Sequence, residues 1–282
     1  MNRDYRLLSI LFVFVFSSCA TKYSKVLKST NNEYKLKMAD EYYKEKRYAH
    51  SQELYQGLMT SYLRGKPEAE EAYYRYAYCA FYLKDYEAAG LAFQTFTDNF
   101  PNSDKVPEMA YMEGYCLFKN SPKVELDQTS TQKAISTLQV FLNTYPNDPH
   151  AAEAKNLIEE CNKKLEEKEY LAAQLYYDLG YFKSAHIYFD LLMSDYPNSE
   201  RSEEYMYKTV LSSFKYASNS IEYLQIDRYQ TAVDECDNFS AQYPKSKFLP
   251  KVEVLRKSAQ NELTKLNIIK TKLQNEQIKK AS

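Results

Sequence analysis

Apolar positions recur along this chain at steps of three and four, the period at which side chains return to one face of an α-helix. The clearest stretch is residues 70–101, EEAYYRYAYCAFYLKDYEAAGLAFQTFTDNFP. After Tyr86 come Ala89 at three residues, Phe93 at seven, Phe96 at ten and Pro101 at fifteen. The small Ala89 lets a partner helix approach, and the aromatics fill the space around it. Pro101 cannot continue a helix, so the unit stops there. The stretch predicts two short antiparallel helices.

The same spacing recurs at Tyr48, Ser51, Tyr55 and Leu58, and again at Thr131, Ala134, Leu138, Phe141 and Pro146. Phe182, Ala185, Phe189, Leu192 and Pro197 repeat it, as do Tyr229, Ala232, Cys236, Phe239 and Pro244. Each proline follows an aromatic, in NFPNS, TYPND, DYPNS and QYPKS. Ser103, Asp148 and Ser199 then stand as N-caps for the next helix. Ala39, Ala77, Gly114 and Ala173 supply a small residue on the first helix of four units. This is the pattern of tetratricopeptide repeats. It predicts an all-α, right-handed solenoid of about five helix pairs. An insertion, Asn120 to Ser130, stretches the third unit, and a long helix from about Pro149 to Asp178 opens the fourth. Val252, Leu255, Ala259, Leu263, Leu266, Ile269 and Leu273 predict a long amphipathic C-terminal helix. The expected division is three repeats over 32–147, two over 148–246, and that helix over 247–282.

The first residues read differently. Arg3 and Arg6 precede an apolar run, Leu7 to Phe16, too short to span a bilayer. Ser17, Ser18 and Cys19 follow, and small residues before a cysteine here resemble a bacterial lipoprotein signal. Residues 1–18 are then a signal peptide and Cys19 is the lipidation site. Residues 19–31 are the acylated cysteine and a flexible tether. Ala20 in place of an aspartate favours the outer membrane, with the body facing the periplasm.

Composition narrows the function. With 37 basic and 38 acidic residues there is no case for a nucleic-acid partner. The chain has 29 Tyr, 14 Phe and no Trp. Tyrosine buries its ring while keeping its hydroxyl wet, which suits a thin layer of paired helices. Cys79, Cys116, Cys161 and Cys236 fall on helix stripes as small core side chains. His50, His150 and His186 lie in three separate units without a partner motif. Neither metal spacing nor a catalytic constellation is present, so the chain reads as a non-enzyme without a cofactor other than the lipid on Cys19.

What remains is a surface. The outward positions of the first helices are Tyr43, Tyr74, Tyr78, Phe81, Tyr82, Tyr111 and Tyr115. They are candidates to line a groove for a peptide with its own aromatic residues. The competing reading places them in the core between stacked units.

Three local runs go beyond generic repeats: MAYMEGY (Met109 to Tyr115), DQTSTQKA (Asp127 to Ala134) and EKEYLAAQLYYDLGYFKSA (Glu167 to Ala185). With them the chain resembles the BamD family, lipoprotein subunits of the machine that assembles outer-membrane β-barrels. Its abundant Lys, Asn and Tyr look like a Bacteroidetes-type source. The resemblance implies a body tethered beneath the outer membrane by Cys19. Repeats 4 and 5 would dock the POTRA domain of BamA nearest its barrel, and the first three would engage the C-terminal strand of an incoming barrel protein. Accessory lipoproteins are further implied partners. The C-terminal helix beyond Phe248 is longer than in better-known members. Another repeat lipoprotein, coordinating peptidoglycan or envelope proteins, is the alternative.

Overall fold

The computed structural model describes residues 22–281. The apolar run and Cys19 lie outside the described residues. Within them the chain is all-α. A short helix, α1, covers residues 22–27. Five tetratricopeptide-like pairs follow: α2 (Asn32–Lys44) with α3 (Tyr48–Met59), α4 (Glu68–Tyr82) with α5 (Tyr86–Asn99), α6 (Val106–Lys119) with α7 (Thr129–Thr144), α8 (Ala151–Asp178) with α9 (Phe182–Asp195), and α10 (Ser202–Ser218) with α11 (Glu222–Gln242). The last helix is α12 (Leu249–Ala281).

The repeated spacing is the core of every pair. Phe93, Phe96, Phe141, Phe189 and Phe239 are sealed from solvent, beside Ala89, Ala134, Ala185 and Ala232. Burying one such ring contributes roughly 1.5–3 kcal/mol. In the first pair Ser51 replaces the alanine, and its hydroxyl donates to the Ala39 carbonyl at 2.9 Å. In the third pair Thr131 replaces the leading aromatic and donates to Gln128 at 2.6 Å.

Both kinds of turn are encoded locally. At the ends of second helices the aromatic before proline is the C-cap: Phe100, Tyr145, Tyr196 and Tyr243, with φ between -124° and -129°. Proline excludes the helical region at the residue before it, so the helix ends there. Within pairs, Lys46, Lys84 and Gly180 take left-handed φ of 59°, 63° and 81°, each two residues before the leading aromatic. Their backbone bonds, such as Asp85 N to Ala80 O and Lys84 N to Phe81 O, form the Schellman turn.

Ser103, Asp148 and Ser199 were expected as N-caps, and the caps fall later. Ser103 Oγ accepts from the Lys105 N–H at 3.1 Å, Asp148 from His150 at 2.8 Å and Ser199 from Arg201 at 3.0 Å. These are two-residue side-chain turns. The helix caps proper at Lys105 and Arg201 carry no side-chain bond. The turns also join successive repeats, since Ser103 donates to Glu70 at 2.8 Å and Ser199 donates to Glu166. The residue two further on covers a tyrosine of the preceding first helix. Lys105 Nζ lies 4.8 Å from the Tyr74 ring, His150 stacks on Tyr111 at 4.4 Å, and Arg201 lies 3.8 Å over Tyr170.

The chain divides into two compact units, the first ending at Asn162 and the second beginning at Lys163. Ala154 and Leu157, in the first half of α8, belong to the same core as Phe93, Met109 and Phe141. Within the stretch read as a tether, 19–31, residues 22–27 form α1. Val26 is fully buried, and Tyr23 sets its ring edge-on against His50 at 4.0 Å. One apolar side chain and one aromatic are enough to fasten this turn to the first pair.

Candidate functional site: an aromatic face on the first unit

In the first unit the helices α2, α4 and α6 are the first members of their pairs. On α4, Tyr74, Tyr78 and Tyr82 stand at i, i+4 and i+8, one stripe of a helix. Tyr111 and Tyr115 make the same step on α6. The rings meet in a continuous network. Tyr74 lies 4.8 Å from Tyr78, Tyr78 lies 5.8 Å from Tyr82, and Phe81 bridges to Tyr115 at 6.0 Å. Tyr115 continues to Tyr111 at 5.9 Å.

Tyr43 joins this network through a residue not selected from the sequence. Tyr48, the first residue of α3, lies 5.7 Å from Tyr43 and stacks on Tyr82 at 4.5 Å and 26°. The repeated spacing reads Tyr48 as the leading aromatic of a core. Its place at a pair's turn, where a side chain reaches both neighbours, is the signal that could have found it.

The seven candidates differ in exposure. Tyr82 is the most open at 46%. Tyr43, Tyr74, Tyr78, Phe81 and Tyr115 are half-buried. Tyr111 is 3% exposed, held between Phe141 and His150, and belongs to the repeat joint. Tyr78 also packs edge-on against Phe93 at 5.2 Å.

Charged groups brace the face. Arg75 Nη1 reaches Asp40 at 2.7 Å and its Nε reaches Glu71 at 2.7 Å, while Lys105 Nζ binds the other Glu71 oxygen at 2.7 Å. Tyr55 donates to Asp40 at 2.5 Å. Glu108 Oε1 accepts from Tyr74 at 3.2 Å and from Tyr78. Burial disfavours ionised Glu71, but the Lys105 and Arg75 bonds outweigh it and hold the carboxyl below its usual range. Burial, then Glu108, pushes the Tyr74 phenol up to about 12. Burial also raises Tyr43, Tyr78 and Tyr111. These phenols stay neutral at physiological pH and act as rings and hydrogen-bond donors. Cys79, a thiol in this region, is buried and pushed up to about 11, mainly by desolvation. The face can stack, donate and exclude water, which is the chemistry of recognition. Among the described residues no group of side chains could hold a metal ion. Among them, too, no helix is long and apolar enough to cross a membrane.

The profile of the YfiO family, described as outer membrane lipoprotein, matches residues 28–182, more than half of the chain. The chain belongs to the YfiO outer-membrane lipoprotein family. It is similar to the putative outer membrane protein assembly factor BamD of Aquifex aeolicus, at 29% identity over 74% of this chain and 69% of that protein. It is also similar to the outer membrane protein assembly factor BamD of Caulobacter vibrioides, at 25% identity over 44% of this chain and 40% of that protein. The family resemblance drawn from the three local runs therefore holds. Among solved structures, the TPR2AB-domain:pHSP90-complex of yeast Sti1 aligns at a TM-score of 0.39 and 12% identity, over 81% of this chain and 98% of that one. The YfiO match covers the whole aromatic face from Tyr43 to Tyr115.

Proposed function

We propose that this chain is an assembly factor for β-barrel outer-membrane proteins, anchored by acyl chains on Cys19 and facing the periplasm. Its first unit receives the client. An aromatic-ended C-terminal strand of an incoming barrel protein lies against Tyr43, Tyr78, Phe81, Tyr82 and Tyr115, and stacking with phenol donors holds it. The single observation that carries this reading is the unbroken ring network across three repeats. Weak contacts strung along a repeat surface add to a useful total while each stays easy to break, so the client can leave. No bond is made or broken, and the chain acts as a scaffold.

The second unit docks a POTRA domain of BamA in this account. What supports it is an apolar edge: Tyr176 on α8 stacks on Tyr188 of α9 at 4.9 Å. Leu175 and Leu179 beside Tyr176, and Ile187 and Leu191 beside Tyr188, are all exposed. Exposed apolar side chains that cluster in this way suit a protein contact.

Depletion of the chain in its source cell is the test. The account expects all outer-membrane barrels to fall together, and purified POTRA domains to be retained by the anchored protein. Unchanged barrel levels with recovery of cell-wall synthases alone would contradict it.

A further inference from the structure

Two of the runs that carry the family resemblance, MAYMEGY and DQTSTQKA, meet at a place the aromatic face does not use. In the first, Glu113 lies two residues from both Tyr111 and Tyr115, about 200° round the helix from each. It therefore points away from the ring network. It forms part of the floor of a cleft of about 640 Å³ whose walls are α5 and α7. Such a volume is typical of ligand sites.

The insertion shapes the mouth of this cleft. Gln128 is 4% exposed, and its amide donates to the carbonyls of Lys123 at 2.8 Å and Leu126 at 3.1 Å. That brace fixes the residues leading into α7, where Ser130 and Lys133 line one wall. Gly114, beside Glu113, lets α7 sit close to α6, since a Cβ there would meet Leu138 at 2.6 Å.

The charge is unbalanced. Glu87 lines the opposite wall, and Asp98 adds its field to that of Glu113. Lys133 is the one basic lining residue among those described. Glu113 is largely desolvated and has no ion pair or hydrogen bond among the described residues. Desolvation first, and then Asp98, raises its pKa. A carboxylate in that setting gains from an incoming cation more than one already paired. Leu117 on the floor and Leu91 on the wall, the latter 62% exposed, offer apolar surface beside it.

We propose that this cleft is a second polypeptide site on the first unit, seating a lysine or arginine side chain of a partner protein against Glu113 with an adjacent aliphatic residue on Leu91 and Leu117. One basic side chain and its aliphatic neighbour, presented by an extended segment, are enough to occupy these positions. The site is separate from the aromatic face and independent of what that face binds.

The test is selection of a random heptapeptide library displayed on phage against the full chain purified in detergent. The expected peptides carry Lys or Arg at one fixed position beside Leu, Ile or Met. Replacing that position with norleucine weakens binding at least tenfold, and so does Glu113→Gln in the protein. Glu113→Gln keeps or raises the thermal midpoint, because it removes an unpaired desolvated charge. Tyr82→Ala leaves these peptides bound, which separates this site from the aromatic face. Three results would overturn the proposal: no enriched peptide, enriched peptides without a basic position, or peptides that bind Glu113→Gln as well as wild type. Equal binding by free spermidine would overturn the polypeptide assignment.

Discussion

A Cβ placed on Gly114 would lie 2.6 Å from Cδ2 of Leu138 and 2.7 Å from its Cγ. Glycine at this first-helix position, where other pairs carry alanine, is therefore a packing requirement of the α6–α7 contact. Leu138 is fully buried and cannot swing into solvent. Gly114→Ala is expected to destabilise the first unit by about 1–3 kcal/mol through overpacking. Chemical denaturation read by circular dichroism checks it. Adding Leu138→Val, which trims the clashing end, should recover part of the loss.

Lys84 holds a left-handed φ of 63° in the α4–α5 turn, where the α8–α9 turn has Gly180 at 81°. A side chain in that region costs about 1–2 kcal/mol, partly offset by glycine's greater freedom when unfolded. Lys84→Gly should thus raise stability by about 0.5–1 kcal/mol, seen as a higher denaturant midpoint at unchanged slope. A lower midpoint would show that the lysine side chain contributes more than the strain.

Much of this molecule was legible because repeat spacing and turn chemistry agree. The steps after Tyr86, and an aromatic followed by proline, set both ends of second helices without knowledge of the tertiary fold. What was illegible depends on contacts some 30 to 40 residues apart. Nothing local to Arg75 says that it spans to Asp40, or that His150 would cover Tyr111. Tyr48 served two roles, and only the core role was visible in the spacing. Tyr111 looked like an outward residue by helical phase, yet the following joint closes over it.

His186 Nε2 lies 2.6 Å from Glu235 Oε1, tying α9 to α11 in the second unit. The Glu235 bond raises the imidazole pKa above its ordinary value, burial opposes it, and Asp190 adds to the rise. The folded state therefore favours the protonated ring. This contribution is full below the unfolded pKa of about 6.5 and is lost as pH rises through the folded value. The urea midpoint of the wild type should fall on going from about pH 6 to 8, relative to His186→Gln. Parallel profiles for the two proteins would remove the role.

Tyr78 is anchored by Phe93 and Glu108, whereas Tyr82 is the most exposed ring of the network. Truncating each should therefore separate folding from recognition. Tyr82→Ala should keep the helix content and unfolding midpoint near wild type, and Tyr78→Ala should lower the unfolding free energy by about 3 kcal/mol.

The most direct measurement of the central claim is fluorescence anisotropy of a labelled peptide copying the aromatic-ended C-terminal strand of a barrel protein, titrated with the full chain. The account predicts saturable binding that weakens at least tenfold in Tyr82→Ala combined with Tyr115→Ala at unchanged circular dichroism, about 1.4 kcal/mol or more. It also predicts loss when the peptide's terminal aromatic becomes alanine. Equal affinity for both proteins, or for both peptides, would contradict it.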